Sequence, residues 1–169
     1  MKRGSRLDRL WRHLTTDRRD VHRTLPQAEL ARVEKAIAEG ERRHSGQVCF
    51  AIEAALPLGR VWRGVTPRER ALEVFGLLRV WDTERNDGVL VYVLLADRDV
   101  EIVADRGIHA RVGDEGWRAV CRRMEAAFRE GRYTEGVEHG LTAVADLLAT
   151  HSPRTGGESN ELSDKPVVL

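Results

Sequence analysis

Residues 81–107 read WDTERNDGVLVYVLLADRDVEIVADRG, and the fold follows from how this stretch is divided. Residues 89–96 are almost continuously β-branched or aliphatic, which predicts a strand covered on both faces. Ala96-Asp97-Arg98-Asp99 interrupts the run, and Val100, Ile102 and Val103 carry a second strand. Two strands across so short a connection predict an antiparallel hairpin. Such a hairpin places Asp87 and Asp105 at one end of the sheet, with Asp97 and Asp99 about 20–25 Å away at the other.

Working outward, Gln47 begins a run in which Val48, Phe50 and Ile52 alternate with Cys49 and Ala51, a further buried strand. Thr66-Pro67-Arg68-Glu69 between the strands has the N-cap, first-turn proline and third-position glutamate of a capping box. Strand, helix and strand make a βαβ unit, whose handedness sets the Gln47 strand parallel to the Val89 strand. A helix opening at Leu25-Pro26 carries Leu30, Val33 and Ile37 inward, and residues 55–65 read as a loop. After the hairpin, Asp114 caps a helix with Trp117, Val120, Met124 and Phe128 on one face. Thr134 caps a last helix with Val137, Leu141, Val144 and Leu148. The order α-β-α-β-β-α-α predicts an α/β/α sandwich, three layers around a small mixed sheet.

Flanking regions read differently. Residues 1–24 form a basic amphipathic arm, with Leu7, Leu10, Trp11 and Leu14 on one helical face within residues 3–14. The simpler reading docks this helix on the domain covering residues 25–150; the sharper one lays it on anionic lipid. Residues 151–169, rich in Ser, Gly and Glu, predict a disordered tail. Cys49 and Cys121 sit in apolar patterns, as reduced core thiols do. No apolar stretch has the length of a membrane span and no secretory leader is recognisable, so a cytoplasmic location is expected.

Chemistry is expected at the Asp87 end. Asp82, Asn86, Asp87, Asp105 and Asp114 approach from three loops, an oxygen-only set suited to a hard cation such as Ca²⁺ or Mg²⁺. Ordinary turn and cap chemistry is the alternative, with Arg85 or Arg106 pairing with the acids. Phosphate-loop, dinucleotide, zinc-helix and nucleophile-elbow motifs are all missing, so no nucleotide or organic cofactor is expected. The formal net charge is +1, basic residues gather only in the arm without an aromatic platform, and nucleic acid is discounted as a partner.

Several motifs together resemble the TPM domain family over residues 26–148. They are Pro26, His44-x-Gly46, the acidic run Asp82-x-Glu84-x-Asn86-Asp87-Gly88-Val89-Leu90, Asp97-Arg98, Gly107-Ile108, Asp114 and Phe128-x-x-Gly131-x-Tyr133-x-x-Gly136. The resemblance implies the α/β/α sandwich and, for some members, a calcium ion in an acidic pocket and a weak acid phosphatase activity. The pocket carries over as Asp82, Asn86, Asp87 and Asp114. Ala104-Asp105-Arg106-Gly107 departs from the family's usual V-G-Y-G, adding one carboxylate and one cation there. The expectation is therefore a binding or scaffold module for an unidentified protein partner, with a divalent cation in the acidic cluster. The alternatives are a metal-assisted phosphomonoesterase, in which Arg85 or Arg106 clamps the anion, and a peripheral membrane protein.

Overall fold

The structure is a computed structural model that describes residues 5–156 and 159–169. The first residues of the expected arm, 1–4, and residues 157–158 of the expected tail lie outside the described part.

The sheet has the strand order β3-β2-β1-β4. Strand β1 (Gln47–Glu53) runs parallel to β2 (Gly88–Leu94) in the register Gln47↔Gly88 to Glu53↔Leu94. Strand β3 (Asp99–Ala104) returns antiparallel, Leu94↔Asp99 to Val89↔Ala104, across a 3₁₀ turn at Leu95–Asp97. The hairpin and the parallel pair match the sequence reading, and the register sets Asp87 and Asp105 at one end of the sheet and Asp97 and Asp99 at the other.

Every residue of β1 and β2 is buried, so both faces need cover. Alternation supplies it. Val48, Phe50, Ile52, Val89, Val91 and Val93 point into one core, lined also by α3 (Gln27–Glu41), α6 (Arg106–Arg129) and α7 (Tyr133–His151). Cys49, Ala51, Leu90, Tyr92 and Leu94 point into the other, with α4 (Leu58–Trp62) and α5 (Pro67–Leu77). The expected capping box opens α5: Thr66 accepts from Glu69 N–H and the Glu69 carboxylate answers at Thr66 N–H. Its Arg70 reaches the sheet, donating Nε–H to buried Glu53 at 2.8 Å, and Tyr92 O–H donates to the same carboxylate at 2.7 Å.

The glycine-aromatic motif builds the corner between α6 and α7. Gly131 turns the chain at φ 77, and the Phe128 and Tyr133 rings pack tilted by 32° with centroids 4.9 Å apart. Gly136 lets α7 close on Phe128, since a Cβ there would lie 2.9 Å from its ring.

Four expectations change. The arm is two helices, α1 (Arg6–Thr15) and α2 (Arg18–Thr24), opened by capping boxes at Ser5 and Asp17. Val21 of α2 is wholly buried, so this segment belongs to the domain. The 55–65 loop contains α4. Helix α6 starts at Arg106, eight residues before Asp114, and breaks at Gly113 (φ 76), while α7 opens without a side-chain cap from Thr134. The tail ends in order: Val167–Val168 forms β4, parallel to β1 at Ala51 and Ile52, and Leu162, Val167 and Leu169 pack on the second core. Composition marked this tail as disordered because its few apolar residues lack periodicity; each finds a prepared site on the sheet instead.

Gly88 sits against Val80, whose carbonyl oxygen a Cβ would overlap, whereas Gly76 in α5 faces open space. Gly88→Ala should cost about 3 kcal/mol, read from the urea midpoint, and Gly76→Ala should be neutral or slightly stabilising.

Candidate functional site

The loop before β2 is held by its backbone. Asn86 adopts a left-handed φ of 53, and its carbonyl accepts the Ile108 N–H at 3.3 Å. Gly107 is required beside it, since a Cβ there would lie 2.6 Å from that carbonyl oxygen. Asn86, Gly107 and Ile108 thus knit the acidic loop to the first turn of α6.

The expected acids occupy separate settings. Asp87 is buried; its Oδ2 accepts Ser45 Oγ–H at 3.3 Å, and its N–H donates to Thr83 Oγ1 at 3.1 Å. Its Oδ1 has no hydrogen-bond partner among the described residues. Burial pushes the Asp87 carboxyl up, the Ser45 hydrogen bond opposes this, Glu161 raises it further and Arg85 lowers it. Asp82 pairs with Arg79 at 2.5 Å on the exposed surface. Asp105 caps α6, accepting the Arg106 N–H at 2.7 Å, while the rest of Arg106 is exposed. Asp114 lies beyond the Gly113 break, exposed between Arg118 at 3.4 Å and His109 at 3.3 Å. It lines a groove of about 420 Å³ beside β3 with Arg68, Glu101 and Trp117. Among the described residues, no group of three or more His, Cys, Asp or Glu side chains is placed to hold a metal ion. The residues as placed do not fit a single five-ligand cation shell.

The tail closes the Asp87 end, where residues 159–169 form a strap that ends in β4. Ser45 Oγ lies 2.7 Å from Ser152 Oγ, and Gln47 Oε1 accepts the Glu161 and Leu162 N–H groups at 2.7 and 3.1 Å. Glu161 reaches over the loop to accept the Glu84 N–H at 3.0 Å. Beneath the strap lies Glu41, whose Oε1 accepts the Val48 N–H at 3.0 Å, and whose carboxyl burial pushes up to about 7. The Val48 bond works against that rise, and the neighbouring Asp164 carboxylate adds to it. His44 is buried, bonded through Nδ1 to Gly46 O at 2.9 Å, and burial lowers it to about 4, which keeps it neutral.

The other end carries a polar clasp. Asp97 accepts Arg9 Nε–H at 3.0 Å, Arg12 stands at 3.2 Å, and His13 Nε2 at 3.2 Å. His13 Nδ1 accepts the Leu56 N–H at 2.9 Å, so the ring proton sits on Nε2, facing Asp97. Burial would raise the Asp97 carboxyl, but the neighbouring His13 and Arg9 side chains hold it far below the usual carboxylate range. Glu41, His13, Ser45 and Asp164 were missed by sequence reasoning. No local spacing announces a contact between residues 13 and 97; a histidine among arginines on an amphipathic helix was the one available sign.

Glu41 tests the strap. An acid with a raised folded pKa favours the folded arrangement only while protonated, so its contribution is present below about pH 4.5 and lost as pH rises through about 7. Amide exchange at residues 159–164, corrected for its intrinsic rate, should therefore accelerate between about pH 4.5 and pH 7 and level off above that. Glu41→Gln, which mimics the protonated acid, should abolish that step.

A family model, described as TPM domain, matches residues 19–147. No curated protein matches the chain. Among solved structures, the BA42 protein of the psychrophilic bacterium Bizionia argentinensis is similar at 25% identity and TM-score 0.76, over 86% of this chain and 95% of that one. The N-terminal domain of a P. gingivalis protein shares the fold at 20% identity and TM-score 0.60, over 78% of this chain and 83% of its own. No helix among the described residues is long and apolar enough to cross a membrane.

Proposed function

The chain belongs to the TPM domain family, and from that premise we propose that it is a binding or scaffold module rather than an enzyme. The observation that carries this reading is the closed Asp87 end, where Asp87 and His44 are both buried. Asp87 lies under Ser45, His44 is tied to Gly46, and the strap covers both. The thiols point the same way: burial pushes Cys49 up to about 11 and Cys121 to about 12, away from nucleophilic thiolates.

One observation favours a second reading. Asp87 Oδ1 and Asp105 Oδ2 are buried oxygens without hydrogen-bond partners among the described residues. Either could be one ligand of a divalent cation, with further oxygens supplied by water or loop carbonyls. Such an ion would polarise a bound phosphoryl oxygen if the site hydrolysed phosphomonoesters.

Purified protein should turn over a generic phosphomonoester no faster than its Asp87→Asn variant, with or without added Ca²⁺ or Mg²⁺. A cation-dependent rate that the variant lacks would make the protein an enzyme. Saturable Ca²⁺ shifts confined to residues 82–88 and 105–108 in a two-dimensional NMR titration, without turnover, would establish the cation alone.

A further inference from the structure

Helix α1 faces the wrong way for a helix that merely covers a core. Its spacing puts Leu7, Trp11 and Leu14 on one stripe, and these three are 69%, 66% and 60% exposed. The side turned inward is polar: Arg9, Arg12 and His13 meet Asp97, Arg12 Nε–H also donates to Ala96 O at 3.0 Å, and only Leu10 joins the core. Rolling the helix to hide the stripe would strand the buried Asp97 charge, which is costly. The clasp therefore fixes the stripe outward. Helix α1 packs on α4, whose Leu58 and Trp62 are also exposed, at 40% and 61%. Five large apolar side chains on two touching helices, two of them tryptophans, exceed the scattered exposure normal for a surface.

The charge around this face selects an occupant. Residues 5–24 and 58–82 hold eleven arginines against six acids, while the remainder of the chain has four more acids than bases. Arg6, Arg18, Arg19 and Arg63 are exposed, with no ion-pair partner among the described residues. Leucine and tryptophan at a helix surface, flanked by free guanidinium groups, match the boundary between acyl chains and anionic headgroups. The two faces of α1 thus divide the work, one gripping the domain and the other open to a surface.

We propose that the outer face of α1 and α4 docks on an anionic lipid surface, with Trp11 and Trp62 entering the headgroup boundary and the unpaired arginines meeting lipid phosphates. This goes beyond the binding-module reading and does not depend on it, because the face lies away from the Asp87 end. The full chain should co-sediment with equimolar phosphatidylglycerol–phosphatidylcholine vesicles with a blue-shifted tryptophan emission, and far less with pure phosphatidylcholine. Trp11→Ser combined with Trp62→Ser leaves the charge unchanged and should lower partitioning at least about tenfold. Arg18→Glu with Arg63→Glu should lower it as well, and unchanged circular dichroism would show that both variants fold. No binding to the mixed vesicles, or binding that the tryptophan variant retains in full, would overturn the proposal. So would a concentration-dependent dimer that the same variant dissociates, since the face would then belong to a second copy of the chain.

Discussion

The parallel pairing of β1 and β2 is the constraint from which the rest follows. Both strands are buried along their whole length, so neither face of the sheet can meet water. Parallel strands also need a crossover, and here α4 and α5 supply it while covering the second face. The first face receives the longer helices α3, α6 and α7, whose apolar stripes are regular. The second is covered by shorter pieces: α1, α4, α5 and the strap that ends in β4. Short helices bury less of their own surface, and apolar residues of this layer remain at its outer side.

The two ends of the sheet are closed by opposite ends of the chain. At the Asp97 end, α1 is fastened by a buried carboxylate shared among two arginines and a histidine. Removing either arginine would leave fewer charges to neutralise a group that cannot return to water without unfolding. At the Asp87 end, Ser152 meets Ser45, and residues 159–169 cross the acidic loop and then complete the sheet. The first closure rests on fixed charge and the second on hydroxyl, amide and protonated-carboxyl contacts. The strap is therefore the softer of the two near neutral pH.

The central fold was legible because its signals are local. The hairpin break at Asp97-Arg98, the Thr66 capping box and the stripe from Trp117 to Phe128 each sit within a few residues of what they specify. The site was less legible because its acids answer to distant partners. Sharing one end of a sheet did not decide that Asp87 would face Ser45 while Asp114 faced His109 and Arg118. The tail was misread for the same reason. Leu162, Val167 and Leu169 have no pattern of their own and are ordered by the edge of β1, which no local rule can see. The arm was half legible: its helix and apolar stripe are periodic, but the inward turn of its polar side depends on Asp97, far along the chain.

The most direct test of this account is native-state amide hydrogen exchange at the strap, measured by NMR at about pH 6 on the full chain. The Leu169 N–H, bonded to Ile52 O at 3.0 Å, and the Glu161 and Leu162 N–H groups, bonded to Gln47 Oε1, should be strongly protected together. Protection at all three would mean that the acidic end is closed by the chain itself, as a binding module without an open catalytic pocket requires. Exchange at the rate of an unstructured peptide, with the β1 amides still protected, would contradict the account and leave Asp87 facing solvent.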